Sequence, residues 1–160
     1  MICAALVVYG LFFLMCYLGT GTPEKNMKSF YSYPDKIQEK IYANEKLAVM
    51  IPKKTSYLAS FVSNYVLFTV IFLVVGLILQ IDGLWNNILY FLVVGIGLNL
   101  FDWLIIDMLW WRNTKRIRFE ELSVGAKEYK NPKKHILAFF RGIPVFICVA
   151  LTVGVLINFL

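Results

Sequence analysis

Long apolar runs, separated by two stretches crowded with lysine and arginine, set the pattern of this sequence. The apolar residues neither alternate, as in a half-buried strand, nor keep to one helical face; they fill whole segments. Crossing a hydrocarbon core as a helix takes about 20 mostly apolar residues. Four segments come near or exceed that length: residues 2–18 (a little short), 57–81, 84–111 and 136–160, the last interrupted by Arg141. Gly76, Gly95, Gly97, Gly142 and Gly154 lie within them, where small residues let helices approach closely. Pro144 marks a kink in the last. The pattern predicts an all-α fold: a single domain over 1–160, an integral membrane bundle of four transmembrane helices.

The first segment reads as a retained helix. It lacks the basic n-region of a signal peptide and no A-x-A-like cleavage site follows it. Orientation comes from the basic residues. Seven lysines (Lys25, Lys28, Lys36, Lys40, Lys46, Lys53, Lys54) fall in residues 19–56, and eight basic residues (Arg112, Lys115, Arg116, Arg118, Lys127, Lys130, Lys133, Lys134) in 112–135. The Asp82–Gly83 turn and both ends hold none. Loops rich in Lys and Arg stay in the cytoplasm. Four alternating helices place those two loops on one side, with both termini extracytoplasmic.

Composition supports this reading. The chain has 160 residues, of which 59% are hydrophobic and 16% charged, with a mean hydropathy of +0.68. Soluble domains are about 45–50% apolar and about 25% charged. Disordered and collagen-like classes are excluded on the same grounds. The net charge of +6 would point to nucleic acid in a soluble protein. Here it lies between membrane segments, so the expected partners are anionic lipid headgroups and not nucleic acid. Cys3, Cys16 and Cys148 sit in apolar runs without metal or disulfide spacing. No cofactor is implied.

Within the first cytoplasmic loop, Phe30, Tyr31 and Tyr33 precede Pro34, which opens a helix through about Lys46. Ile37, Ile41, Val49 and their neighbours give it an apolar stripe. That amphipathic helix either lies on the headgroups, anchored by Tyr and Lys, or packs on the bundle as a lid. Gly19-Thr20-Gly21-Thr22 before Lys25 lacks the spacing of a phosphate loop. Asn131-Pro132 reads as a helix cap followed by proline in the first turn. Arg112, Lys115, Arg116 and Arg118, where the third helix leaves the bilayer, are expected to hold lipid headgroups.

Ionisable groups inside a membrane segment are costly and mark function by default. Counting about 1.5 Å per residue from the basic flanks, Asp107 and Arg141 lie at matching depth, which predicts an ion pair between the third and fourth helices. Asp102 and Asn64 lie near mid-membrane, and Asn99 sits one turn from Asp102. Together Asn64, Asn99, Asp102, Asp107 and Arg141 form a polar seam, with His135 at its mouth. The seam either binds a small polar ligand or ion, with a proton relay through Asp102, or fastens the helices together. A single histidine makes a metal site a poor fit. No nucleophile elbow, HExxH or enzyme-like carboxylate pair is present, so the reading leans away from an enzyme.

Asn99-Leu100-Phe101-Asp102, Asp107, Trp110-Trp111-Arg112, Gly19-Thr20-Gly21, Tyr33-Pro34 with Gln38, and His135 with Arg141-Gly142 resemble small bacterial inner-membrane proteins of unknown mechanism. The label ABC transporter permease is often attached to these automatically. The resemblance implies a bacterial plasma membrane and supplies no catalytic residues. This chain shows no nucleotide-binding domain and few helices for a permease half. Three functions are therefore carried forward. The first is a transport-related or accessory protein binding a small polar ligand or ion. The second is a membrane enzyme acting on a lipid-linked substrate through Asp107, His135 and Arg141. The third is a structural subunit, whose partner would be a second copy or another membrane protein.

Overall fold

The computed structural model describes residues 1–159, which are helical without a strand. Helix α1 is Ile2–Leu18, and two short helices, α2 (Pro23–Met27) and α3 (Asp35–Tyr42), follow. Next come α4 (Glu45–Ala48), α5 (Tyr57–Leu79) and α6 (Leu84–Phe101), which runs on into a π-helical segment, Asp102–Trp111. The last helix, α7, is Lys133–Phe159. Its first residues precede the apolar run as expected, it continues through Pro144, and Leu160 lies outside the described residues. Three stretches are long and apolar enough to cross a membrane: Tyr57–Leu79, Leu84–Trp111 and Ala126–Phe159. Helix α1, with 17 residues, is shorter.

Local chemistry explains where these helices begin and end. Ser56 Oγ accepts from the Ala59 amide at 3.1 Å and opens α5, satisfying one of the donors a helix start leaves unpaired. Gln80, at φ 46, closes the same helix in the left-handed region. Asn87 Nδ2 then donates to the carbonyls of Ile81 and Gly83, and Asn86 Nδ2 to that of Asp82, which fastens the α5–α6 turn. Asn131 Oδ1 accepts from the Lys133 amide at 3.0 Å, as the Asn-Pro pair predicts. The helix expected from Pro34 to about Lys46 is broken in two, because Asn44 caps α4 by accepting from the Lys46 and Leu47 amides.

The chain divides into two compact units. The first holds Met1–Tyr9, Thr55–Phe101 and Phe139–Leu160. Phe68, Phe72, Phe91 and Phe146 form its aromatic centre, with Phe68 and Phe146 centroids 4.8 Å apart and Phe72 and Phe91 5.4 Å apart. A Cβ at Gly95 would collide with Phe146, and one at Gly154 with the backbone of Ile88. Glycine at these points allows α6 and α7 to close on each other. The outside of this unit is aliphatic: Leu58, Val62, Val66, Val70, Val74 and Ile78 of α5 are all exposed, Ile78 at 75%. Met1 and Tyr9 line this unit too: Tyr90 Oη donates to the Met1 carbonyl, and Tyr9 Oη to that of Val94.

The second unit holds Gly10–Lys54 and Asp102–Ala138, so it contains both basic connectors. They fold on one another. Met27, Phe30, Tyr33, Ile37, Ile41 and Leu47 from the first pack with Trp111, Ile117, Phe119, Leu122 and Tyr129 around the second. Ile37 and Ile41 of the expected stripe are 0% exposed here, whereas Val49, beyond the break at Asn44, is 84% exposed. Helix α3 is packed and has no apolar face left for headgroups. Tyr33 sits at the centre, fully buried, against the rings of Trp111, Phe119 and Tyr129. Its hydroxyl donates to the Ile117 carbonyl at 2.7 Å.

Burial holds the Tyr33 phenol above its ordinary value of 10.0, with Tyr129 adding to the effect. Burial raises Tyr129 as well. In the unfolded chain these phenols ionise near pH 10, while in the fold they stay neutral. Stability is therefore complete below pH 10 and lost as pH rises beyond it. Tyr33→Phe should cost about 1 kcal/mol at neutral pH through the lost hydrogen bond. It should also make the alkaline loss shallower in thermal unfolding followed from pH 8 to 11. A variant with wild-type stability at pH 7 and the same alkaline slope would remove Tyr33 from both roles.

Candidate functional site

The seam drawn from depth alone is taken apart by the structure. Asn64 lies on the exposed side of α5. Asn99 is buried, its Nδ2 donating to the Phe139 carbonyl at 2.9 Å, and it fills the space that Gly142 leaves on α7. That is helix fastening. Arg141 is exposed, with its guanidinium 5.3 Å from the centre of the Tyr57 ring. Tyr57 is the first residue of α5, so this long side chain reaches the helix end where Tyr and Arg are favoured. The pairing of Asp107 with Arg141 gives way to different partners for each.

Three of the predicted residues do come together, all in the second unit. Asp107 Oδ1 accepts from His135 Nδ1 at 2.9 Å. His135 is 5% exposed and Asp107 14%, so the pair is withdrawn from solvent. Trp111 meets the imidazole edge-on at 6.1 Å. The carboxylate fixes the ring's orientation through Nδ1, which leaves Nε2 as the working atom. Nε2 is buried and has no partner among the described residues. At the residue before His135, Lys134 Nζ pairs with Asp35 Oδ1 at 2.7 Å, which ties the start of α7 to the start of α3. That pairing holds the exposed Asp35 carboxyl below its ordinary value.

The π-helical segment supplies the third residue. Its hydrogen bonds run over five residues, as from the Arg112 amide to the Asp107 carbonyl at 3.3 Å. In an α-helix Asp102 and Asp107 would point about 140° apart; the wider winding turns residues five apart towards one face. Asp102 is half-buried and no described residue bonds to it or pairs with it. Cys16 of α1 lies within electrostatic range of both carboxylates. π-Helical turns are rare and concentrate at functional sites. Sequence reading took this stretch as α-helix; the five-residue spacing of Asp102, Asp107 and Arg112 is the only trace of it.

The cations expected at the headgroups are mostly occupied within the protein. Arg116 Nη2 donates to the Thr20 carbonyl at 2.9 Å and Nε to Thr20 Oγ1 at 3.1 Å, while its guanidinium stacks 4.0 Å from the Tyr17 ring. Gly21, at φ +107, leaves room that any Cβ would take from that guanidinium. Asn26 Nδ2 donates to the Arg116 carbonyl and completes the brace. The Gly-Thr-Gly-Thr run thus serves to hold an arginine. Arg118 lies 5.9 Å from the Tyr129 ring and Arg112 Nη1 donates to Met108 Sδ. Lys115 alone of the four is fully exposed.

Among the described residues no three His, Cys, Asp or Glu converge tightly enough to hold a metal ion. Comparison of the chain with family models, with curated proteins and with solved structures returns no match in any of the three. Because His135 is the only histidine, ¹⁵N-histidine labelling reports on this site alone. Asp107→Leu should remove the Nδ1 tautomer signature and cost about 1–3 kcal/mol, the range for a buried donor left unpaired. Asp107→Asn keeps an acceptor oxygen and should retain the tautomer with a smaller loss. An unchanged spectrum in Asp107→Leu would show that the carboxylate does not orient the ring.

Proposed function

We propose that the chain is a four-span protein of the bacterial inner membrane, transport-related or an accessory subunit, that binds a small cationic polar molecule at Asp102, Asp107 and His135. The observation that carries this reading is the buried Asp107–His135 pair with Nε2 unpartnered. Asp107 holds the imidazole, Asp102 follows on the same π-helical segment, and no described residue gives Asp102 a counter-charge. A cation supplies what the site lacks; an anionic ligand would add to the charge already present.

Four crossings are supported by α1 and by the connectors. Helix α1 is about 25 Å long, and Ile2, Leu6, Val7, Leu11, Leu14 and Leu18 are all exposed along it. Those side chains suit lipid. The two basic connectors pack into one hydrophobic cluster, which supports their sharing one side of the bilayer. By the distribution of positive charge that side is the cytoplasm, with the start of α1 and the end of α7 outside. Cysteines introduced at Lys36 and Lys127 in a cysteine-free background should react with a membrane-impermeant reagent only after spheroplasts are opened. Labelling of one site in intact spheroplasts would break the topology.

Binding can be read by thermal unfolding in detergent with ammonium, methylammonium, imidazolium and guanidinium salts titrated at constant ionic strength. A ligand at 100 times its Kd stabilises by about 2.7 kcal/mol. One member of the series should raise Tm saturably, and Asp102→Asn and Asp107→Asn should abolish that rise while leaving far-UV helicity intact. A rise that survives in Asp102→Asn, or none with any of the four, would overturn the reading.

A further inference from the structure

Asn64 is the residue of the predicted seam that the structure leaves outside. It is the eighth residue of α5, about 10 Å along a mostly apolar helix of 23 residues. Its side chain is exposed, and no described residue hydrogen-bonds it. Ser63 beside it is exposed as well. Hydrocarbon offers an amide no partner, and an asparagine side chain is too short to reach the interface as Arg141 does. The neighbouring polar group is already satisfied, since Tyr65 Oη and Thr152 Oγ1 share a hydrogen bond of 2.8 Å.

An open, mostly apolar groove of about 320 Å³ is lined by Phe61 and Tyr65 of α5 and by Cys148, Leu151 and Thr152 of α7. Phe61 lies three residues before Asn64, on the same side of the helix. An apolar recess flanked by an unpaired amide is the form of a helix–helix contact in lipid, where packing and interhelical hydrogen bonds, and not hydrophobic exclusion, drive association.

We infer that α5 is the interface of a homodimer in which Asn64 of each copy donates to and accepts from Asn64 of the other. A carboxamide carries one acceptor oxygen and two donor hydrogens, so it is its own complement across a two-fold axis. The same patch then serves both copies. An apolar or purely charged partner surface would leave half of the amide unpaired. The inference needs α5 to cross the membrane and does not depend on ligand binding at Asp102 and Asp107.

The test is the oligomeric state of the full chain in nanodiscs or liposomes, measured by single-molecule photobleaching over a range of protein-to-lipid ratios. The wild type should form dimers that dissociate on dilution in lipid. Asn64→Leu, which makes the segment more apolar, should weaken the dimer at least about tenfold, as two membrane hydrogen bonds would. Thermal stability and helicity of the monomer should be unchanged. As a second readout, Asn64→Cys in a cysteine-free background should form a disulfide-linked dimer under mild oxidation, whereas Val93→Cys on the exposed face of α6 should not. A wild type that stays monomeric at every ratio overturns the inference and assigns the amide to a different membrane protein. A dimer indifferent to Asn64→Leu overturns it too.

Discussion

The aliphatic exterior of the spanning helices can be held only in a solvent with no water to lose. Val70, Val74 and Ile78 along α5 and Ile147, Leu151 and Val155 along α7 are exposed, far beyond the scattered apolar residues of a soluble surface. Given hydrocarbon as the solvent, burial of apolar area no longer selects one packing over another, because lipid chains receive these side chains as readily as a neighbouring helix does. Shape and hydrogen bonding must then do the selecting. The glycines at 95, 142 and 154, and the Asn99–Phe139 bond, are where they do so.

Outside the spanning stretches the usual balance returns, and the two connectors respond by folding. Between Met27 and Leu47, and between Trp111 and Tyr129, aromatic and branched residues that look isolated in sequence gather around Tyr33. This core is small, so it is reinforced by directed bonds: Tyr33 to Ile117, Asn26 to Arg116, Arg116 to Thr20 and Lys134 to Asp35. The unit that results also holds Asp107 and His135 in place. A site built on helix residues with a packed surround keeps its geometry, which a loop lying on headgroups could not provide.

How much of this was legible follows from the same physics. Length and hydropathy mark the spans, and the Asn131-Pro132 cap fixes where α7 begins. They do not tell which side of α5 faces inward. A helix that is apolar all round has no periodic signal to read, so Asn64 could be placed by depth and not by direction. Arg141 was misassigned for a related reason. Depth along the backbone says little about a side chain long enough to return to the interface beside Tyr57. His135 and Asp107, being short and buried, carried a truer signal. The packing of Tyr33 and Tyr129 joins residues almost a hundred positions apart and leaves no local mark.

The π-helical segment shows why strain and function are read together here. Abandoning the four-residue ladder from Asp102 to Trp111 loosens backbone hydrogen bonding in the medium where it matters most. In exchange the wider winding turns Asp102 and Asp107 towards one side, with His135 against the second carboxylate. If these residues served only to fasten helices, Asn99 shows a simpler solution, a single amide to a backbone carbonyl with a glycine opposite. Two carboxylates, one of them with no bond to any described residue, make poor fasteners. Their expense, and the irregular backbone that brings them together, make sense for a site that takes up positive charge.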